Sequence, residues 1–128
     1  MKAMVFAAGL GTRLRPLTND RPKALVEVAG ITMLERVLTH LREAGFTDVT
    51  VNVHHFAPMV IDFLDEHDHF GLDLHISDES DLLLDTGGGI LAARQWLDGN
   101  QPFMVHNADI LSDLASLRDT YQLLDSLA

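Results

Sequence analysis

The sequence predicts an α/β fold: a Rossmann-like, mostly parallel sheet with helices on both faces. Three observations carry this reading. Short apolar runs alternate along the chain with amphipathic stretches of about ten to thirteen residues. The first run, Met4 to Ala8, ends directly on Gly9, as a fully buried parallel strand does when it feeds a loop. The later runs are short and separated by helical patterns, so right-handed βαβ crossovers are the expected connections.

Taken in order, Met4 to Ala8 is the first strand. Thr32 to Ala44 is a helix: Leu34, Val37, Leu38 and Leu41 fall at i, i+3, i+4 and i+7, Thr32 and Glu35 are spaced as a capping box, and Gly45 stands just past the end. Asp48 to Val53, reading DVTVNV, is the second strand. Pro58 then opens a helix whose buried stripe is Val60, Ile61 and Leu64. Leu72 to Ile76 is the third strand, Thr86 to Leu97 a helix entered through three glycines, Pro102 to His106 the fourth strand and Ser112 to Leu124 the last helix. No repeat, linker or low-complexity tract interrupts this order. Ligands of such sheets bind outside the carboxyl ends of strands, which singles out the segments after residues 8, 53, 77 and 106.

At 128 residues the chain matches one compact domain or part of one. With 47% apolar residues it can bury a core, yet no apolar stretch approaches the roughly 20 residues of a membrane span. The N-terminus lacks a secretory-signal pattern and there are no cysteines, so a cytoplasmic location is expected. A net charge of −10 argues against nucleic acid or an anionic membrane as partner. That average hides an asymmetry. Residues 1–26 carry five bases against one acid, a net of +4, whereas residues 27–128 carry four bases against 18 acids, a net of −14. Because Arg13, Arg15, Arg21 and Lys23 share one segment, the anion they serve is small, and phosphate fits.

That segment is AAGLGTRLRPLTNDRPKAL, residues 7–25. Gly9 and Gly11 would let backbone N–H groups approach an anion, or would serve a tight turn from strand to loop; their spacing alone leaves both open. It is not a Walker loop, since no Gly-Lys-Ser/Thr follows, and Leu14 stands where the dinucleotide fingerprint needs its third glycine. Arg13 follows the glycines by two residues, and Pro16 and Pro22 restrain a long loop that returns Lys23 to the same place. Loops longer than about 12 residues without structure of their own are usually functional.

AAGLGTRLRPLT followed by RPKAL resembles the signature A-A-G-x-G-T-R-x-x-P-L-T, then P-K, of the sugar-1-phosphate nucleotidyltransferases (NDP-sugar pyrophosphorylases). The resemblance implies the nucleotide-diphospho-sugar transferase fold and an enzyme that transfers a nucleoside monophosphate from an NTP to a sugar 1-phosphate, releasing pyrophosphate. It implies that Ala8, Gly9, Gly11 and Thr12 bind the nucleotide. Arg13 would grip the triphosphate or departing pyrophosphate and Lys23 would contact the α-phosphate, these two being the catalytic pair. Arg15 and Arg21 match variable positions and read as solvated surface charges. The stretch ISDESDLLLDTGGGIL resembles the family segment that lines nucleobase and ribose, with Thr86, Gly87 and Gly88 at matching positions. The same glycines would equally let a helix pack closely on the sheet. DTGGGI resembles N-acetylmuramate-1-phosphate uridylyltransferases and mannose-1-phosphate guanylyltransferases, so UTP or GTP is the expected nucleotide.

A triphosphate needs a hard cation, and Mg²⁺ takes only one or two protein carboxylates. The resemblance puts the family's metal aspartate at Asp109, in HNADIL after the fourth strand. The family's second metal aspartate comes later in its members. The expectation is therefore that residues 1–128 are a nucleotide-binding part truncated at the carboxyl end, with an exposed sheet edge through which copies self-associate. The alternative is a nucleotide-binding module without turnover. Glu79 and Asp85 are left out of the metal set, because one ends a strand and the other starts a helix. His54, His55, His67 and His69 lack zinc-site spacing. Asn52 and His54, ending the second strand, touch substrate or cap a turn. Trp96 and Tyr121 read as core or lobe contacts.

Overall fold

Side chains alternate between the two faces of a strand, and in the first strand both faces are apolar, which demands a layer on each side. The computed structural model describes residues 1–9, 16, 19–81, 86–99, 101–108, 119 and 121–123. In chain order its elements are β1 (Lys2–Phe6), a small hairpin of β2 (Glu27–Val28) and β3 (Ile31–Thr32), α1 (Met33–Glu43), β4 (Asp48–Val53), α2 (Ala57–Glu66), β5 (Asp73–Asp78), α3 (Thr86–Ala92), α4 (Arg94–Leu97) and β6 (Phe103–Asn107). The main sheet runs β5-β4-β1-β6 and is parallel throughout, with Val5 opposite Val51 on one side and His106 on the other.

Ala3 and Val5 join Val49, Val51 and Val53 under α1 and α2, whereas Met4 faces Ala93 and Leu97 of the α3–α4 segment. Each Val or Leu taken fully out of water contributes roughly 1.5–3 kcal/mol, so these two layers hold the sheet from both sides. Tyr121 belongs to the α1 side: its ring meets Phe46 edge-on at 5.4 Å and its hydroxyl accepts the Lys2 N–H at 3.1 Å. Trp96 instead stacks on His75 at 5.5 Å.

The expected capping box forms half of its pair of bonds: Thr32 Oγ1 accepts from the Glu35 N–H at 3.1 Å. Past the other end of α1, Gly45 takes φ 96, and the bonds Gly45 N–H to Arg42 O and Phe46 N–H to Leu41 O close a Schellman motif.

Several boundaries differ from the sequence reading, each for a local reason. The first strand spans Lys2–Phe6 and not Met4 to Ala8, because the N–H groups of Ala7 and Ala8 turn out of the ladder onto Asn52. The predicted helix from Thr86 to Leu97 is two pieces, broken at Ala93, whose N–H is shared between Gly89 O and Ile90 O while its methyl is fully buried. The hairpin was not foreseen. Its strands are two residues long, and its turn uses Ala29 at φ 54 before Gly30 at φ 80, a conformation alanine seldom adopts. Most of the expected helix from Ser112 to Leu124 lies outside the described residues; positions 119 and 121–123 are helical.

The chain adds β4 and then β5 on one side of β1 and returns to place β6 on the other. The order therefore reverses between β1 and β6, and in sheets of this kind ligands bind outside the carboxyl ends of the strands at such a reversal. No helix among the described residues is long and apolar enough to cross a membrane.

Candidate functional site

Four segments meet at the carboxyl end of the sheet: Ala7 to Gly9 after β1, Asn52 to His54 ending β4, Glu79 after β5, and the glycines opening α3. The loop after β1 returns to this end through a single 3-10 turn, Lys23–Leu25, set by Pro22, whose carbonyl accepts the Leu25 N–H at 3.0 Å. Ala24 and Leu25 are buried in the α1-side core, so the turn is anchored and Lys23 is aimed back at the strand end. Its Nζ lies 3.8 Å from where a Cβ on Gly9 would stand. The two ends of the loop are thus brought together at the strand terminus, with Lys23 half-buried and Gly9 exposed. Gly11, Thr12, Arg13 and Arg15 lie outside the described residues. Ala108, buried, donates its N–H to Phe6 O at 3.1 Å, which holds the residue after β6 beside the end of β1. Asp109 follows it and lies outside the described residues, as does Asp85.

Beneath the glycine loop sits a polar pair: Asn52, expected to touch substrate or cap a turn, and Glu79, left out of the metal set. Asn52 is 2% exposed and Glu79 4% exposed, so each must find hydrogen-bond partners within the protein. Asn52 Oδ1 accepts the N–H groups of Ala7 at 2.7 Å and Ala8 at 3.2 Å, and its Nδ2 donates to Glu79 Oε2 at 3.0 Å. The Ala8 N–H is therefore already engaged. Glu79 is tied on its main chain as well: its N–H donates to Val53 O at 2.7 Å, and its carbonyl lies 2.5 Å from His54 Nδ1. The available sequence signal was an asparagine interrupting the valines of DVTVNV at the carboxyl end of a buried strand.

The glycines of α3 divide the two readings left open above. Gly89 is the packing glycine: a Cβ there would stand 3.2 Å from Phe6 Cε1 and 3.4 Å from both Asn52 Nδ2 and Glu79 Oε2. Gly87 is exposed and Gly88 half-buried, so close packing on the sheet does not account for Gly87. Thr86 begins the helix.

The histidines have local partners. His67 Nδ1 meets Phe63 O at 2.8 Å, and His69 Nε2 meets Asp65 Oδ1 at 2.9 Å. Among the described residues, the acidic and imidazole groups that converge closely enough to hold a cation are Asp48, Asp73 and His75, with ligand atoms within 4.8 Å of one another. His75 Nε2 is 3.2 Å from Asp48 Oδ1 and 3.9 Å from Asp73 Oδ1. Asp48 and Asp73 are the first residues of β4 and β5. This group is at the amino end of the sheet, roughly 15 Å from the glycine loop at about 3.3 Å per residue.

The family model described as nucleotidyl transferase matches residues 2–126. The chain belongs to the nucleotidyl transferase family. A relative from Caulobacter vibrioides, N-acetylmuramate alpha-1-phosphate uridylyltransferase, is 51% identical over 109 residues, covering 84% of this chain and 45% of the relative. The mannose-1-phosphate guanyltransferase of Gibberella zeae is 38% identical over 115 residues, covering 88% of this chain and 31% of that protein. The crystal structure of HddC from Yersinia pseudotuberculosis superimposes with a TM-score of 0.82 at 27% identity, covering 97% of this chain and 54% of HddC, which has also been solved complexed with GMP-PN. This nucleotidyl transferase chain thus spans about half the length of the Caulobacter relative and of HddC. The matched fold is the mostly parallel sheet of the nucleotide-diphospho-sugar transferases.

Proposed function

We propose that residues 1–128 form the nucleotide-binding part of an enzyme that transfers a nucleoside monophosphate from UTP or GTP to a sugar 1-phosphate. The observation that carries the reading is the return of Lys23 to Gly9 at the end of β1, beside the reversal of strand order. A cation aimed at exposed glycine backbone is a site for phosphate, and the relatives act on sugar 1-phosphates with a uridylyl or guanylyl donor, as their names state.

In this mechanism an oxygen of the sugar 1-phosphate attacks the α-phosphorus in line, the bond from that phosphorus to the bridging oxygen of the β-phosphate breaks, and pyrophosphate departs. The nucleophile is a phosphate monoester with a second pKa of about 6, so it is already largely dianionic at neutral pH and needs no general base. Lys23 offsets charge on the α-phosphate, and Arg13 holds the triphosphate and then the pyrophosphate. Ala8, Gly9, Gly11 and Thr12 line the triphosphate path, and Thr86, Gly87 and Gly88 line nucleobase and ribose. Asp109, following the strand that flanks β1, would hold Mg²⁺. That ion would neutralise and orient phosphate oxygens. The Asp48, Asp73 and His75 group does not fit this role, since it stands at the far end of the strands.

The absence of cysteine supports a cytoplasmic setting, where the triphosphate is abundant. Among the described residues β6 is an edge strand with Val105 40% exposed, which supports pairing between copies along that edge. The test is a thermal melt with millimolar Mg·UTP or Mg·GTP, together with pyrophosphate release on adding N-acetylmuramate 1-phosphate or mannose 1-phosphate. A ligand bound only to the folded state at 100 times its Kd raises stability by about 2.7 kcal/mol. A transition unmoved by both nucleotides refutes the reading.

A further inference from the structure

We infer that Asn52 and Glu79 are positioning residues that set the direction of the glycine loop for the triphosphate, acting as one hydrogen-bonded unit. The inference rests on the nucleotide-binding reading above and adds two residues and a mode of action to it.

The polarity of the unit is forced. Backbone N–H groups can only donate, so the Asn52 atom facing Ala7 and Ala8 is the oxygen, and the amide nitrogen must face Glu79. A buried carboxylate beside that nitrogen satisfies it and stops the amide from flipping. Were the amide to flip, its NH₂ would confront two N–H donors, and Ala7 and Ala8 would lose their acceptor. Glu79 is itself fixed, because its main chain is bonded to Val53 O and His54 Nδ1 and its Oε2 lies against Gly89. The pair therefore ties four segments of the carboxyl end together. Ala7 and Ala8 are held off the β-ladder at the point where the chain must turn to expose Gly9 to Lys23. Neither Asn52 nor Glu79 is exposed enough to serve as a main contact for a nucleotide, so the pair acts through the loop.

The arrangement invites a polarity swap. In N52D the second carboxyl oxygen replaces the amide donor facing Glu79 Oε2, so the Asn52-to-Glu79 hydrogen bond is lost and two carboxyl groups confront each other. In N52D/E79Q the direction of that bond reverses: the glutamine NH₂ donates to the aspartate, whose other oxygen still accepts from Ala7 and Ala8. The double variant also keeps the wild-type net charge. In E79Q alone, the glutamine oxygen still accepts from Asn52.

The experiment measures Kd for Mg·UTP and Mg·GTP on the full chain and its variants by calorimetry, well below each melting transition. N52D is expected to weaken binding by roughly 10- to 100-fold, the scale of a misplacement of about 1 Å. N52D/E79Q is expected to return to within about 3-fold of wild type, and with E79Q measured alone to close the cycle the two changes give a coupling that independent sites cannot produce. If N52D does not fold, N52S replaces it: it leaves Ala7 and Ala8 unheld and is expected to lose about 10-fold or more, with no rescue by E79Q. A lowered melting temperature with unchanged affinity in the folded N52D, or a double variant as weak as the single, overturns the positioning role while leaving the nucleotide site standing. A wild-type chain that binds neither nucleotide removes the function proposed above and this inference with it.

Discussion

The ammonium of Lys23 and the α-carbon face of Gly9 confront each other across the base of the long loop, with 3.8 Å between Nζ and the position of an added Cβ. Thirteen residues lie between them in the sequence, yet the 3-10 turn at Lys23–Leu25 and the buried Ala24 and Leu25 close the distance. A charge delivered in this way is held by packing, and its effect on an anion survives where mobile surface charges are screened.

Lys23→Ala is therefore expected to weaken Mg·UTP or Mg·GTP binding by about 10-fold or more, in line with losing a charge-assisted contact of roughly 1.5–3 kcal/mol. Arg13→Ala is expected to act on the same scale and Arg15→Ala to change affinity by less than about 3-fold. Titration at two salt concentrations checks this. Equal losses for all three, fading together as salt rises, would mean that diffuse charge and not a defined site holds the anion.

Gly89 and Gly87 are two residues apart on α3 but are expected to respond with opposite signs. Gly89→Val drives methyl groups into Phe6, Asn52 and Glu79 and is expected to lower stability by roughly 1–3 kcal/mol. Gly87→Ala, at an exposed helical position, is expected to raise stability by about 0.4–1 kcal/mol by restricting the unfolded chain. Urea unfolding without nucleotide reads both. Destabilisation by the second would show that Gly87 also lacks room.

Thr32→Ala removes the oxygen that accepts the Glu35 N–H and is expected to cost about 1 kcal/mol, with Thr32→Ser close to wild type. Chemical denaturation distinguishes this from a β3 effect, because serine keeps the cap while discarding the β-branch.

Val105 and Asn107 are the exposed positions of β6, the edge along which pairing between copies is proposed. Val105→Lys is expected to shift sedimentation towards monomer without lowering the melting temperature, since Val105 is 40% exposed. An unchanged distribution would place any self-association elsewhere.

The helices and the site loop were legible in the sequence to different degrees. The stripe of Leu34, Val37, Leu38 and Leu41 and the Thr32 to Glu35 spacing are local patterns, and α1 formed where they require, between Thr32 and Ala44. The second strand, Asp48–Val53, was equally plain, because its run is short, β-branched and cleanly bounded. A long loop restrained by Pro16 and Pro22 implied that Lys23 returns to the glycine segment, and Lys23 does stand against Gly9. The strand ends were less legible. Whether Ala7 and Ala8 extend the ladder depends on an acceptor 45 residues away, and nothing near them in the chain announces it.

Period, caps and composition are short-range properties, so they set the fold class, the order of elements and the loop that carries the charge. Three-dimensional packing settled matters that depend on residues distant in sequence. It chose the β5-β4-β1-β6 order and hence the reversal of strand order between β1 and β6. It gave Gly89 a packing role, because an added Cβ there would stand against Phe6 and the Asn52–Glu79 pair. It also converted a polar interruption in a valine strand into a bonded unit, since a buried amide and a buried carboxylate are stable only when each completes the other's hydrogen bonds.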